Sequence, residues 1–229
     1  MLGKLYVIGT PIGNLSDISF RAIEMLKMVD AIFCEDTRVT RKLLSHYGIK
    51  TKCFAYHTHS NEKIIFKAAD MISKGMNVAL VSDAGTPAIS DPGVKFVRGI
   101  VNFLKDPDVV RVIPGASAVV SALSASGAPS SSFTFLGFPP HKKGRMTFFK
   151  NVAKNEETIV FYESPHRLIK ALTSLCEYLP KTREVIVARE MTKIYESFVR
   201  GNAQEVLDYF TENKDKVKGE IVIIVSSLS

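Results

Sequence analysis

The chain has 229 residues, enough for one large domain or two modest ones, each with a real core. Its 46% hydrophobic and 23% charged residues are those of an ordinary globular protein, and no apolar run approaches the length of a membrane span. Thirty Lys+Arg against 23 Asp+Glu give a formal charge of +7, which favours a polyanionic partner such as RNA.

Residues 1–126 hold 15 Lys+Arg against 11 Asp+Glu, and 127–229 hold 15 against 12, so the charge is spread and there is no basic tail. RNA, if bound, meets a folded surface. Cys34, Cys53 and Cys176 stand far apart without a CxxC pair, as expected of reduced structural thiols in a cytosolic protein. The N-terminus runs straight into a strand and does not read as a signal peptide.

Lys4 to Ile8 predicts a first strand, which runs into the Gly/Pro loop Gly9-Thr10-Pro11-Ile12-Gly13-Asn14. A helix follows with Phe20, Ile23 and Leu26 at helical spacing. Ala31 to Cys34 is a second strand, ending in Glu35-Asp36-Thr37-Arg38. A helix over about 39–47 then stops at Gly48. Thr51 to Tyr56 is strand-like, and a helix from near Glu62 ends by Gly75. The apolar run Val78 to Val81 reads as a buried parallel strand. Its loop, SDAGTPAISDPG, ends in Asp91-Pro92, a helix-start signal with a side-chain cap before a proline at the first helical position. A helix over 94–104, a strand from Val109 to Ile113, the loop Pro114-Gly115-Ala116-Ser117-Ala118 and a small-residue helix to about Ser126 complete the first half.

This βα alternation predicts a mostly parallel five-stranded sheet covered on both faces. Gly127 to Ser132 has linker composition, so the expected domains are 1–126 and 133–229, joined by 127–132. In the second half, strands are predicted at 133–138, 158–162, 184–188, 195–199 and 220–225, the fourth at an edge or in a hairpin. Helices are predicted up to Lys154, from Ser164-Pro165 to about Leu179, and over 203–212. Hairpin-like connections beside βα ones predict a mixed sheet. The expected class is α/β, in two α/β domains.

Four Gly-, Pro- or acid-rich loops thus sit at the carboxyl ends of predicted strands, where open α/β sheets bind ligands. None is a GxGxxG dinucleotide fingerprint or a GxxxxGK[ST] phosphate loop, and no HExxH or Cys/His zinc spacing occurs. His57 and His59 lack a nearby Cys or acid at ligand spacing, so no metal is expected.

In order, GTPIGNLSDIS, EDTR, SDAGTPAISDPG, PGASA, FLGFPP, FYESPHRL, ARE-TK-YE and KGE resemble the bacterial 16S rRNA (cytidine-2′-O)-methyltransferase family of the tetrapyrrole (corrin/porphyrin) methylase superfamily. The match runs from about Leu5 to Val225. The resemblance implies a cytoplasmic two-domain protein, usually a homodimer, that holds S-adenosylmethionine in the cleft between its domains. It further implies methylation of a cytidine ribose 2′-oxygen in 16S rRNA or the small ribosomal subunit, and no membrane partner. Many members continue past the last strand, whereas this sequence stops at Ser229, which bears on RNA docking more than on the cofactor.

By the same resemblance the cofactor meets Pro11, then Ser82, Asp83, Ala84, Gly85, Thr86 and Pro87, then Ser117 and Ala118. From the second half come Phe161, Tyr162, Glu163, Arg189, Gly219 and Glu220. Asp83 is the first choice as acceptor for a ribose hydroxyl or the ammonium group.

Attack by a ribose hydroxyl calls for a base or a cation near the developing alkoxide. Glu35, Asp36, Arg38, Glu163, Glu190 and Lys193 are the candidates, with Asp36, Arg38, Glu190 and Lys193 taken as the catalytic set. A helix N-terminus would explain the acids of EDTR but not Arg38. Lys142, Lys143 and Arg145 in the densest basic loop are expected to grip RNA phosphates, while Lys214, Lys216 and Lys218 read as a solvated stretch. Phe148, Phe149, Phe161 and Tyr162 also suit a core. Two other functions fit the fold: a methylase of a small tetrapyrrole, expected to show a GGDP-like loop in place of SDAGTP, and a non-catalytic RNA-binding assembly factor.

Overall fold

A computed structural model describes residues 1–57 and 62–227. The chain divides into two compact units, Met1–Ser117 and Ala118–Ser229. The division falls nine residues before the expected boundary. The small-residue helix up to Ser126 belongs to the second unit because its apolar residues pack on that unit's strands. The stretch 127–132 is also part of that unit: Ala128 is buried and the Pro129 carbonyl accepts from Thr158 Oγ1.

In the first unit, β1 (Leu5–Ile8), β2 (Ala31–Cys34), β3 (Cys53–Ala55), β4 (Val78–Val81) and β5 (Val110–Ile113) form one sheet in the order β3-β2-β4-β1-β5. Every pairing in it is parallel. Both faces of β2 and β4 are buried, as continuous apolar runs require. Helices α1 (Phe20–Met28) and α2 (Thr37–His46) cover one face, where Ala22, Leu26, Leu43 and Leu44 meet Ile8, Ile32 and Val81. Helices α3 (Glu62–Ser73) and α4 (Gly93–Leu104) cover the other, where Ala69, Ile72, Phe96 and Ile100 meet Leu5, Phe33 and Leu80.

Two local expectations change. Phe20 is 87% exposed, because the buried stripe of α1 runs through Ala22 and Leu26 instead. Pro92 precedes the first helical residue of α4, and the cap is the Asp91 carboxylate, which accepts from the backbone N–H of Gly93 and of Ala88.

The second unit opens with α5 (Ala118–Ser126) and has the sheet order β6-β7-β10-β8-β9. Its strands are β6 (Phe133–Phe135), β7 (Thr158–Glu163), β8 (Glu184–Arg189), β9 (Ser197–Asn202) and β10 (Ile221–Val225). β6 and β7 are parallel and the other pairings antiparallel, so the sheet is mixed, with β9 at one edge. Helices α6 (Arg145–Lys154), α7 (Pro165–Tyr178) and α8 (Ala203–Glu212) bury Phe149, Leu168, Leu172, Val206 and Phe210 against Phe161, Val187 and Ile223. α5 packs on β8 and β10. Among the described residues no helix is long and apolar enough to cross a membrane.

Candidate active site

In the first unit β4 lies between β2 and β1, yet the chain leaves β4 toward the α3/α4 face and leaves its neighbours toward the α1/α2 face. The loops therefore part at the carboxyl end of β4, opening the crevice that a doubly wound sheet offers a ligand.

Backbone contacts tie the loops together there. Thr10 and Gly85 form an isolated antiparallel bridge, each N–H donating to the other's carbonyl at 2.9 and 3.2 Å. The buried Thr10 hydroxyl lies 3.1 Å from the Ser82 carbonyl, and the buried Ser82 hydroxyl lies 3.1 Å from that of Gly85. Thr86 Oγ1 donates to the carbonyl of Ala116, joining the loop after β5. Gly9 and Gly115 touch backbone to backbone: a Cβ on Gly9 would lie 2.7 Å from Gly115 Cα, so neither tolerates a side chain.

The β4 loop is also the most contorted segment of the unit. Gly85, Ala88 and Ser90 have φ of 81°, 69° and 58°, and two of these are not glycine. Asp91 Oδ1 holds the turn by accepting from Ala88 and Gly93. Such conformations persist only where surrounding bonds fix them, and they gather at ligand sites.

Four carboxylates share this edge. Asp83 is half-buried; its Oδ1 accepts from the Asp36 backbone N–H at 3.0 Å, and its Oδ2 has no partner among the described residues. Glu35 is half-buried and its carboxylate has no hydrogen bond among the described residues. Burial, reinforced by the charges of Asp91 and Asp83, pushes it up to about 6. Burial likewise raises Asp91, against the two N–H bonds it accepts.

Asp36 behaves differently. It caps α2 by accepting from Arg38 N at 2.7 Å, and it forks with Arg38 Nε and Nη2, the latter at 2.6 Å. The hydrogen bonds from Arg38 hold it down to about 2. Arg38, whose place in EDTR the helix dipole does not explain, is the partner of that cap. Pro11, Ser82, Gly85 and Pro87 are buried, Thr86, Ser117 and Ala118 half-buried, and Ala84 exposed, so the β4 loop offers mainly backbone to a ligand.

In the second unit, register brings the named residues to one edge of the sheet. Glu163 pairs with Ile221, and Ile221 with Arg189, which sets Tyr162-Glu163, Arg189-Glu190 and Gly219-Glu220 side by side. Their side chains, however, mostly serve the fold. Phe161 is fully buried among Phe148, Phe149 and the helices, so its ring is core and not a cofactor wall. Tyr162 points the other way along the strand and is half-buried beside Phe135 and Phe138.

The Glu163 side chain has no exposed surface and both its oxygens are taken. Arg145 reaches Oε2 at 2.9 Å; Arg167 reaches Oε1 at 2.8 Å, where Ser164 N also donates. The same two arginines donate to the carbonyls of Pro140 and Pro139. Neither Glu163 as a ligand contact nor Arg145 as a phosphate grip therefore fits the structure: Arg145 spends its charge inside the unit, with 14% of its side chain exposed. Lys142 and Lys143 are exposed and make no ion pair among the described residues.

Arg189 is buried and donates to Ser197 Oγ and the carbonyls of Tyr195 and Lys218. Glu190 stands at φ 53°, and its Oε1 accepts from Lys193 Nζ at 2.9 Å and from Glu220 N at 2.8 Å. Lys193 also approaches Glu220 Oε2 at 3.3 Å. Despite their burial, these bonds lower the Glu190 carboxyl and raise the Lys193 amine. Gly219 is glycine because its φ of 86° and the Glu190 side chain, 2.3 Å from where a Cβ would stand, leave no alternative. His59, the second histidine of the pair, lies outside the described residues.

The residue that the catalytic set omits is Glu35. Its signal was present in the sequence as an acid directly after a fully apolar strand, but what separates it from Asp36 is the set of hydrogen bonds that Asp36 makes with Arg38, which adjacency does not show. The edge of the first unit thus offers acceptors: backbone carbonyls, Asp83 Oδ2 and Glu35. Such a set suits a ligand that carries positive charge and donates hydrogen bonds, as a sulfonium with an ammonium group and ribose hydroxyls does.

The chain is 46% identical to the ribosomal RNA small subunit methyltransferase I of Halalkalibacterium halodurans, over 97% of this chain and 75% of that protein. It is 42% identical to the protein of the same name from Thermotoga maritima, over 98% of this chain and 99% of that one. Among solved structures, a cobalt-precorrin-4 methyltransferase of cobalamin biosynthesis superposes with a TM-score of 0.68 at 20% identity, covering 97% of this chain and 94% of that one. The methyltransferase CobJ does so at 0.70 and 18%, covering 98% and 94%. At such identities these two speak for the fold alone. Residues 4–207 match the tetrapyrrole (corrin/porphyrin) methylases as a family, and with that match, the relatives and the fold in accord, the chain belongs to this family, whose methyl donor is S-adenosylmethionine.

Proposed function

We propose that the chain transfers a methyl group from S-adenosylmethionine to the ribose 2′-oxygen of a cytidine in small-subunit (16S) ribosomal RNA. The observation that carries the substrate class is identity of 42–46% over nearly the whole chain to proteins named for methylation of small-subunit ribosomal RNA. A homodimer and a cytoplasmic location belong to the same reading.

The cofactor supplies an electrophilic methyl group on a sulfonium. In the first unit, Asp83 Oδ2, an acceptor left free, and the backbone of the β4 loop would hold it; Pro11 follows Thr10, which bridges Gly85, and Ser117 and Ala118 follow Ala116, which accepts from Thr86. In the second unit the groups left to a ligand are the half-buried ring of Tyr162, the backbone of Gly219 and the exposed carboxylate of Glu220. The chain's remaining task is to take the proton of a hydroxyl that is a poor nucleophile. Glu35 suits that role better than Asp36: its carboxylate is unpartnered and, at about 6, is ionised at neutral pH while still basic enough to accept a proton. Asp36, held near 2 and forked to Arg38, is the weaker base. Lys193, paired with Glu190 and Glu220, spends its charge within the second unit as Arg145 does.

The test is incubation of the purified protein with methyl-labelled S-adenosylmethionine and small ribosomal subunits, their naked RNA, or a tetrapyrrole precursor. Nuclease digestion and mass spectrometry then locate the label. We expect 2′-O-methylcytidine. Label on a base, or only on the tetrapyrrole, overturns the proposal; RNA binding without any label would leave an assembly factor.

A further inference from the structure

The positive charge of the first unit is concentrated in one segment. Residues 37–52 contain Arg38, Arg41, Lys42, Lys50 and Lys52 and no Asp or Glu. Without them the rest of residues 1–117 would hold ten Lys+Arg against eleven Asp+Glu, so this segment accounts for the unit's whole excess.

The fold gathers the segment into a single surface. Arg38, Arg41 and Ser45 follow one another at i, i+3 and i+7 on α2, which places them along one face. α2 stops at Gly48, whose φ of 63° turns the chain back so that Lys50, Thr51 and Lys52 return beside the helix's last turn. Between them lies an open hollow of about 650 Å³, whose wall combines Arg41, Ser45, Lys50, Thr51 and Lys52 with a non-polar floor that includes Leu44 and Ile49. Arg41, Lys50 and Lys52 are exposed and make no ion pair among the described residues. Arg38 differs, being paired with Asp36. Cations without ion pairs around a hollow with the Ser45 hydroxyl on its wall are what a phosphodiester backbone contacts, without reading bases.

The position of the hollow gives it a role. α2 begins two residues after Glu35, at the carboxyl edge of the sheet, and runs back to the opposite edge. Its ten residues span about 15 Å, the length of about four stacked nucleotides. Resting on the proposed RNA methylation, we infer that this face of α2 and the hollow at its end form a phosphate track, which holds the RNA strand flanking the target nucleotide while the target ribose reaches Glu35. The track is distinct from the Lys142/Lys143 loop of the second unit.

The test uses the full chain carrying Arg41→Ala, Lys50→Ala and Lys52→Ala together, with Arg41→Lys, Lys50→Arg and Lys52→Arg as the charge-keeping control. Thermal unfolding and calorimetry with S-adenosylmethionine check that the fold and the cofactor site are intact. Binding to transcribed small-subunit RNA is then measured from 50 to 200 mM salt. We expect the alanine variant to bind RNA about tenfold or more weakly at 0.1 M salt, with its log–log salt slope shallower by about 2, and the control to restore both. An unchanged slope in a variant that still binds the cofactor overturns the track while leaving the methylation reading intact. Loss of binding to intact subunits but not to naked RNA also overturns it, in favour of an acidic protein partner. Failure of the unsubstituted chain to bind or methylate RNA overturns the methylation reading and, with it, the track.

Discussion

The two units place charged residues at the carboxyl ends of their strands in opposite ways. In the first, Asp83 and Glu35 are half-buried with free acceptor oxygens, and the loops are held by backbone bonds and short hydroxyls. In the second, Glu163 and Arg189 are buried with their bonding capacity largely taken by protein groups. A buried charge needs partners, and once it has them nothing is left for a ligand. The difference teaches that an ionisable residue at a strand end is a site candidate only when its partners leave it unsatisfied. Each of the following substitutions can break or sharpen that distinction.

Glu163→Gln should have the largest effect, and on stability. It leaves two arginines facing a neutral amide in a buried setting, where loss of one partner costs roughly 3–5 kcal/mol. We expect a melting temperature lower by roughly 10 °C or more, with S-adenosylmethionine affinity of the folded protein unchanged at low temperature. A variant that melts normally but loses the cofactor would make Glu163 a ligand contact after all.

Glu35→Gln should act on rate. Removing a general base costs about 10²–10⁴-fold, and the wild-type rate should rise with pH through about 6 and then level off. Its stability effect has a defined sign. A carboxyl raised in the folded state contributes stability that is full below its unfolded value near 4.5 and is lost as pH rises through about 6. The variant should therefore lose less stability between pH 4.5 and 7 than wild type. The difference is of order 1 kcal/mol, because solvent screens a half-exposed group. Urea titrations at the two pH values read it, and equal differences in both proteins would refute the raised carboxyl.

Asp83→Asn keeps the acceptor for Asp36 N but removes the charge. We expect S-adenosylmethionine to bind about 10–100-fold more weakly by calorimetry, the range of a hydrogen bond to a charged group. The melting temperature should stay near that of wild type. A large drop in melting temperature would put Asp83 with Glu163, among the residues that hold the fold.

What was legible in the sequence follows from how local each signal is. The strand-end loops of the first unit announce themselves through Gly, Pro and Asp, because tight turns and caps are decided within a few residues. α8 runs from Ala203 to Glu212, the bounds expected of it, and its start is a local device, the capping box of Asn202 and Glu205. The Glu163 cluster was not. Arg167 lies four residues along a helix, but Arg145 arrives from 18 residues away, and only the packing of α6 brings it in. Period-2 alternation does put Phe161 and Glu163 on one face of β7 and Tyr162 on the other. Which face the helices cover is a tertiary fact. The boundary was misplaced for a related reason: Gly127 to Ser132 has the composition of a linker, whereas the contacts that assign α5 to the second unit are long-range. The acid-free stretch 37–52 was visible in principle, but counting charge by halves averages it away.

Asp36→Asn should do least, and its smallness is the informative result. Asp36 sits beside Glu35, and sequence adjacency makes the two equal candidates for the base. The structure separates them by partners. Asp36 caps α2 and forks with Arg38, which holds it near 2; Glu35 is left without a hydrogen bond among the described residues and rises to about 6. Asparagine caps a helix about as well as aspartate, so α2 should remain intact. A depressed carboxyl contributes stability that is present above its unfolded value near 4 and is lost only as pH falls through about 2. The variant should therefore be slightly less stable than wild type at neutral pH, the contribution of an exposed ion pair being small, and converge with it in strong acid. Methyl transfer at pH 7 should stay within about twofold of wild type, far from the loss expected on removing a general base. A hundredfold loss, with α2 intact by circular dichroism, would move the proton-accepting role to Asp36. The rule that a fully partnered carboxylate is structural would then fail at the acid beside the proposed base.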